Sequence, residues 1–126
     1  MKYIFVVLLV FFVSPLTIAA NQEAVIIYEN HNIAVDISKE QNKPLLLIFS
    51  ADWCDYCTKL KTEILTTNET SDYVSCIIDV DNNKDLVKKY KVRILPTSIV
   101  IKNGEQVIKS KTGFKGEKDY LKWLGL

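Results

Sequence analysis

Apolar residues in this chain fall into short clusters separated by polar, turn-forming stretches, and the spacing inside each cluster selects its element. Leu45 to Phe49 is apolar at five successive positions, the pattern of a strand covered on both faces. Pro44 suits its first position, where a missing donor costs least. Tyr73 to Val80 alternates through Val74, Cys76, Ile78 and Val80, with Ile77 adding burial on the second face, and predicts another strand. Ser98 to Lys102 and Gln106 to Ser110 read as a hairpin around Asn103-Gly104, a favoured turn dipeptide. Glu23 to Tyr28, with Val25, Ile26 and Ile27 before Tyr28, fits either an edge pairing or a cover over the core.

Helical spacing fills the intervals. His31 to Glu40 sets Ile33 and Ile37 four apart beside Ala34, predicting one apolar face with Asn30 or Asn32 as cap. From Cys54 the apolar positions Cys57, Leu60, Ile64 and Leu65 continue a helix until the polar run Thr66 to Ser71 ends it. Asp81-Asn82-Asn83 is a turn or cap before Asp85 to Tyr90, where Leu86, Val87 and Tyr90 share helical spacing. Gly113 serves a turn or bulge, and Tyr120, Leu121 and Leu124 give a closing helix, Glu117 to Leu124, with Trp123 adjacent. No internal repeat or low-complexity stretch interrupts this order. Alternating strands and helices predict an α/β domain, a central sheet with helices on both faces.

Composition changes the picture at the N-terminus. Met1 to Ala20 carries Lys2, an unbroken apolar run from Tyr3 to Val13, then Ser14-Pro15 and small residues up to Ala20. This is the pattern of a secretory signal peptide, residues 1–20, with cleavage after Ala20 or Ala19; an uncleaved membrane anchor is the alternative. Removal leaves one domain, residues 21–126, with 15 basic and 15 acidic residues, whereas the full chain carries +1. A balanced charge gives no electrostatic footprint for nucleic acid. Export to the periplasm or the exterior would place the cysteines in an oxidising compartment, where a close pair closes unless something reduces it.

The chemistry concentrates at Cys54 and Cys57. Two cysteines three apart at the start of a helix can bridge across one turn, and the unpaired backbone N–H groups there favour a thiolate. The same spacing forms half of a tetrathiolate zinc site, but only Cys76 and His31 remain as further ligands, so a metal is not expected. Redox chemistry is the leading reading, with a structural disulfide as its rival. Cys54 would attack, being nearer the open edge, and Cys57 would resolve; Asp55 and Tyr56 between them would tune the potential. Trp53 is expected beside the active edge or in the core. Cys76 reads as a buried small hydrophobe, or else a third redox thiol or an intermolecular bridge; His31 as an exposed or capping residue; Asp79 and Asp81 as a strand end and a helix cap.

The motif ADWCDYC at Ala51 to Cys57, the DVD at Asp79 to Asp81, YKVRILPT at Tyr90 to Thr97, KNGE at Lys102 to Glu105, TGF at Thr112 to Phe114 and the terminal YLKWL resemble the thioredoxin superfamily. Within it the chain is most similar to thioredoxin-like domains of exported bacterial disulfide reductases, such as the C-terminal domain of the membrane electron-transfer protein DsbD. The resemblance spans about residues 30–125 and implies a thioredoxin-like fold, a central mixed sheet of four to five strands flanked by helices. It implies a monomeric protein thiol-disulfide oxidoreductase without a cofactor, acting on protein disulfides or dithiols and recharged by a membrane partner of the DsbD type. It also implies a cis bond at Leu95-Pro96 facing the disulfide, with Leu95, Pro96 and Thr97 contacting substrate. The chain lacks the inserted helical domain of exported oxidases of the DsbA type, which favours reduction; oxidation, isomerisation or redox-inactive peptide binding are the alternatives.

Several positions depart from the family pattern, the central pair Asp55-Tyr56, in place of the common Gly-Pro, among them. A buried acid in the strand before the motif is Ile48 here, and the lysine often found near it is Ile77. The glycine two residues before the proline is Ile94, which narrows the expected substrate groove.

Overall fold

The computed structural model describes residues 25–126, so the expected leader, residues 1–20, lies outside the described residues. Strand β1 (Ile27–Tyr28) is followed by α1 (His31–Gln41), β2 (Leu45–Ser50), α2 (Asp55–Leu60), β3 (Val74–Asp79), α3 (Lys84–Lys89), β4 (Thr97–Lys102), β5 (Gln106–Thr112) and α4 (Glu117–Leu124). The sheet order is β1-β3-β2-β4-β5. β1 and β2 both run parallel to β3, whereas β4 is antiparallel to β2 and to β5. This is the thioredoxin-like mixed sheet.

Hydrophobic pattern explains why β2 is central. All six of its residues are buried, and its side chains alternate between two cores. Leu45, Leu47 and Phe49 pack with Ala34, Val74, Cys76 and Ile78, against which Val35, Ile37, Leu86, Val87 and Tyr90 close from α1, α3 and the turn after α3. Leu46 and Ile48 pack on the other face with Leu60, Ile64, Leu65, Tyr120 and Leu124. Burying each large side chain is worth about 2 kcal/mol, so the strand anchors whatever follows it.

Two expectations change. Ile33 does not join the buried face of α1: it is 52% exposed, and Ala34 and Ser38 face the sheet instead. The hydroxyl of Ser38 donates to the Lys43 carbonyl at 2.6 Å, so a polar side chain occupies an inner position because its donor is satisfied locally. The hairpin holds Asn103 and Gly104 at φ 55° and 78°, as the dipeptide predicts, but Lys102 pairs with Gln106, making a three-residue loop that includes Glu105. Beyond the loop Ile108 of β5 is an extra residue, because Ile101 pairs with Val107 and Val100 with Lys109.

Beyond Leu60, Lys61–Leu65 forms a π turn. Thr58, Thr62 and Thr66 each donate a hydroxyl to the carbonyl four residues earlier, those of Cys54, Thr58 and Thr62. Such back-bonding competes with the helical ladder and loosens it. Among the described residues no helix is long and apolar enough to cross a membrane.

Candidate active site

The carboxyl end of β2 delivers the cysteines. After buried Ser50 and Ala51 the chain turns, and the Cys54 N–H donates to the Ala51 carbonyl at 3.2 Å. Cys54 is the N-cap of α2, in an extended conformation, and its Sγ accepts the Cys57 N–H at 3.3 Å. A cysteine thus stands where Ser or Asp usually caps, so an otherwise unpaired helix donor points at sulfur. Cys54 and Cys57 form a disulfide with their Cα atoms 5.3 Å apart. Cys54 retains 8% exposure and Cys57 none, so any partner reaches the pair through Cys54.

Trp53 is not a core residue. It is 69% exposed, and its indole N–H donates to the Asp81 carboxylate at 3.1 Å. Asp79 accepts the Asp81 backbone N–H at 2.8 Å and the Asn82 amide at 3.1 Å. The two acids therefore build a turn that holds Trp53 beside the disulfide; neither caps α3, whose N-cap position is Asn83. Tyr56 is exposed, with the Lys59 ammonium 5.4 Å from its ring centroid, and Asp55 lies exposed in the first turn of α2.

The proline loop reaches the same edge by sheet register. Phe49 of β2 pairs with Thr97 of β4, so Pro96, one residue earlier, sits beside the end of β2 from which the cysteines emerge. The Leu95-Pro96 bond is cis, and Pro96 is fully buried. Its carbonyl accepts the Gly113 N–H at 2.7 Å, and the Thr97 hydroxyl donates to the Ile94 carbonyl at 2.5 Å. Leu95 packs against the core cluster that contains both cysteines, and its backbone N–H and C=O make no hydrogen bond to the described residues. Ile94 is 57% exposed, a bulky apolar side chain at the rim of the loop.

Beneath the cysteines the apolar substitutions meet. Ile48 and Ile77 are direct register partners on β2 and β3, both packed in the second core. A charge at either position alone would lack a partner, so the two departures from the family pattern are mutually consistent. Cys76 is fully buried in β3, and burial, aided by the charge of Glu29, pushes its thiol up to about 12. That identifies it with the packing alternative. His31 begins α1, with Nε2 3.4 Å from the Tyr90 hydroxyl, and does not cap: Asn30 does, accepting the Ile33 N–H at 3.1 Å. Sequence reasoning missed Ser50, a buried serine whose hydroxyl has no partner; a lone polar residue closing an apolar strand was its signal.

A bridged thiol pair capping a helix, beside a cis-proline loop at the carboxyl edge of a mixed sheet, defines a protein thiol-disulfide oxidoreductase. Residues 32–126 match the family described as Thioredoxin-like domain, and the chain belongs to it. It is 31% identical over 107 residues to a thioredoxin of Mycobacterium tuberculosis, covering 83% of this chain and 90% of that one. It is 36% identical over 74 residues to Thioredoxin-1 of Caenorhabditis elegans, covering 56% of this chain and 63%, less than two thirds, of that relative. Among solved structures, an N21Q mutant thioredoxin from Halobacterium salinarum superposes with TM-score 0.64 at 31% identity, over 79% of this chain and 85% of that one.

Proposed function

We propose that the protein is an exported reductant of protein disulfides, with Cys54 as nucleophile and Cys57 as resolving thiol. The observation that carries the assignment of roles within the bridged pair is their unequal burial, Cys54 keeping 8% exposure and Cys57 none. In the reduced protein the Cys54 thiolate attacks one sulfur of a substrate disulfide. A mixed disulfide forms, and the substrate's other sulfur leaves as a thiolate and takes up a proton. Cys57, losing its proton, attacks the Cys54 sulfur; the substrate's second thiolate leaves, and the Cys54–Cys57 bridge closes. Two electrons pass to the substrate.

The free backbone of Leu95 supports pairing with an extended substrate segment, as the family resemblance implies, with Pro96 and Thr97 shaping the groove. Trp53, Asp55 and Tyr56 form the remaining surface around Cys54. The apolar run Tyr3 to Val13 supports export, and outside the cytosol a dithiol must be recharged by a donor such as a membrane partner of the DsbD type. With Ile48 in place of a buried acid, no carboxyl at that position relays the proton of Cys57.

The deciding measurement is the reduction potential of residues 21–126 equilibrated with dithiothreitol or glutathione. A value near about −270 mV fits a reductant, whereas one near about −120 mV turns the reading to an oxidant. A Cys57→Ala variant should accumulate mixed disulfides through Cys54, and a Cys54→Ala variant should not.

A further inference from the structure

At the end of the sheet opposite the cysteines, residues of α1, of the segment entering β2 and of the β4–β5 hairpin enclose a cavity of about 530 Å³. Register fixes this placement: Leu45, the first residue of β2, pairs with Val74 and Ile101, whereas Ser50, at the redox end, pairs with Asp79. A six-residue strand separates the two ends by about 20 Å. Pro44, Tyr73, Val100 and Ile108 supply apolar lining, and Lys39, Lys43, Lys102 and Lys109 stand around it without a carboxylate among them. Residues 21–126 carry 15 basic and 15 acidic side chains, so this excess is local.

The fold holds these charges in place without neutralising them. Lys43 donates to the Ser71 carbonyl at 3.0 Å, and Lys109 donates to the Trp123 carbonyl at 2.5 Å with its ammonium 5.3 Å from the indole centroid. Lys39 crosses to the hairpin and lies so close over Gly104 that a Cβ there would collide with its ε-carbon. The ion pairs among the described residues are Lys84 with Asp81 and Lys111 with Asp119, so the sequence neighbours Glu40, Asp72 and Glu105 pair with none of the four. Exposed aliphatic side chains share this end: Val107, 52% exposed, pairs with Ile101, and Ile108, the extra residue of β5, borders the cavity.

The chain also enters the domain here. Ile27 of β1 is level with Leu46 through their common partner Ser75, and Val25 and Ile26 line an adjoining cavity that shares Lys43 and Tyr73 with the first. Residues 14–24 alone separate Val25 from the apolar run Tyr3 to Val13, and a link of that length reaches at most about 40 Å. While that run lies in a bilayer, this end of the domain is the one held near it. We propose that this end of the sheet is a docking face for a bilayer bearing anionic phospholipid headgroups, with the redox edge turned away toward soluble substrates. Unpaired lysines supply attraction to the headgroups, and the aliphatic side chains beside them insert at the acyl boundary. An acidic protein would also satisfy the lysines, but the apolar leader entering at the same end favours lipid.

The test floats residues 21–126, whose two cores are built between Tyr28 and Leu124, with lipid vesicles in a density gradient. In about 0.05 M salt, vesicles with about one third phosphatidylglycerol should carry about tenfold more protein than vesicles of phosphatidylcholine alone, and about 0.5 M salt should remove most of that excess. Lys39→Gln/Lys102→Gln, which leaves the bonds of Lys43 and Lys109 in place, should cut the excess to about twofold. Lys88→Gln/Lys118→Gln, the same loss of charge at exposed positions outside the cavity, should keep most of it. Ile108→Ser should lower it about threefold. Taking the ratio of the two vesicle types within each variant separates docking from loss of folded protein. Reduced protein on the vesicle should react with a soluble disulfide reagent through Cys54 as fast as free protein. Equal flotation with both lipids, or an equal loss in the two double variants, overturns the docking face. Masking of Cys54 on the vesicle overturns the orientation, and unchanged flotation of Ile108→Ser overturns the part given to the aliphatic side chains. Retention on an immobilised acidic peptide without flotation assigns the face to a protein and overturns the lipid reading.

Discussion

At the scale of single residues the three cysteines divide by environment. With its thiol pushed up to about 12, Cys76 exposes about one thiolate in ten thousand at pH 8, and its sulfur has no solvent access. Reduced, folded protein should therefore release colour from Ellman's reagent for two thiols, with the third reacting only after urea is added; prompt reaction of three would contradict the burial of Cys76. Residue identities carried much of the site's legibility, since the CxxC spacing, the Pro96 loop and the paired loss at Ile48 and Ile77 could all be read in sequence. The link between Trp53 and Asp81 could not. It joins residues 28 positions apart, and only the register of β2 on β3 brings them together.

Among the elements, α4 shows how a short helix stays in place. Tyr120 is fully buried and donates its hydroxyl to the Ser98 hydroxyl at 2.7 Å, with Phe114 edge-on and Trp123 tilted against its ring at 5.8 and 5.4 Å between centroids. Tyr73 donates to the Leu124 carbonyl at 2.8 Å, pinning the last turn. Tyr120→Phe keeps the ring and strands the Ser98 hydroxyl, at a cost of about 1–2 kcal/mol. Urea denaturation should show that loss as a lower midpoint with an unchanged slope. Strand β2 and helix α4 were legible because their apolar patterns are dense. The inner face of α1 was not, because Ser38, a polar residue made compatible with burial by the Lys43 carbonyl, displaced Ile33 from it. The bulge after the hairpin left no mark in an alternating pattern that only tertiary pairing decides.

For the whole molecule, pH is the clearest global handle. Burial raises the thiol of Cys76 and the phenols of Tyr73, Tyr90 and Tyr120, the Asp72 charge adding to Tyr73. All four are neutral acids held protonated by the fold. Below the unfolded values, about 8.5 for Cys and about 10 for Tyr, folding binds no extra protons, and their share of stability is complete. Above them the unfolded chain ionises first, so stability falls as pH rises through about 9 toward about 12. Urea midpoints measured from pH 8 to pH 11 should decline; a flat profile would count against these buried acids. The α/β order was visible along the whole described chain because strands and helices alternate with short connections. Export rests on residues 1–20, which lie outside the described structure, and sequence composition remains its support.

The π turn at Lys61–Leu65 bears on how this chain tolerates change in length. A π turn is an α-helix with one residue too many, so the segment between the cysteine end and the buried Ile64–Leu65 end carries a spare position. Exposed Thr62 can serve as that position. Removing it should regularise the helix and leave both ends in register, where deletion of any residue of β2 would turn the strand's side chains to the wrong faces. Thermal unfolding of the two deletions compares them directly, and collapse of both would refute the idea. Insertions and deletions, usually the province of loops, thus have a permitted address inside the helix that carries the redox pair.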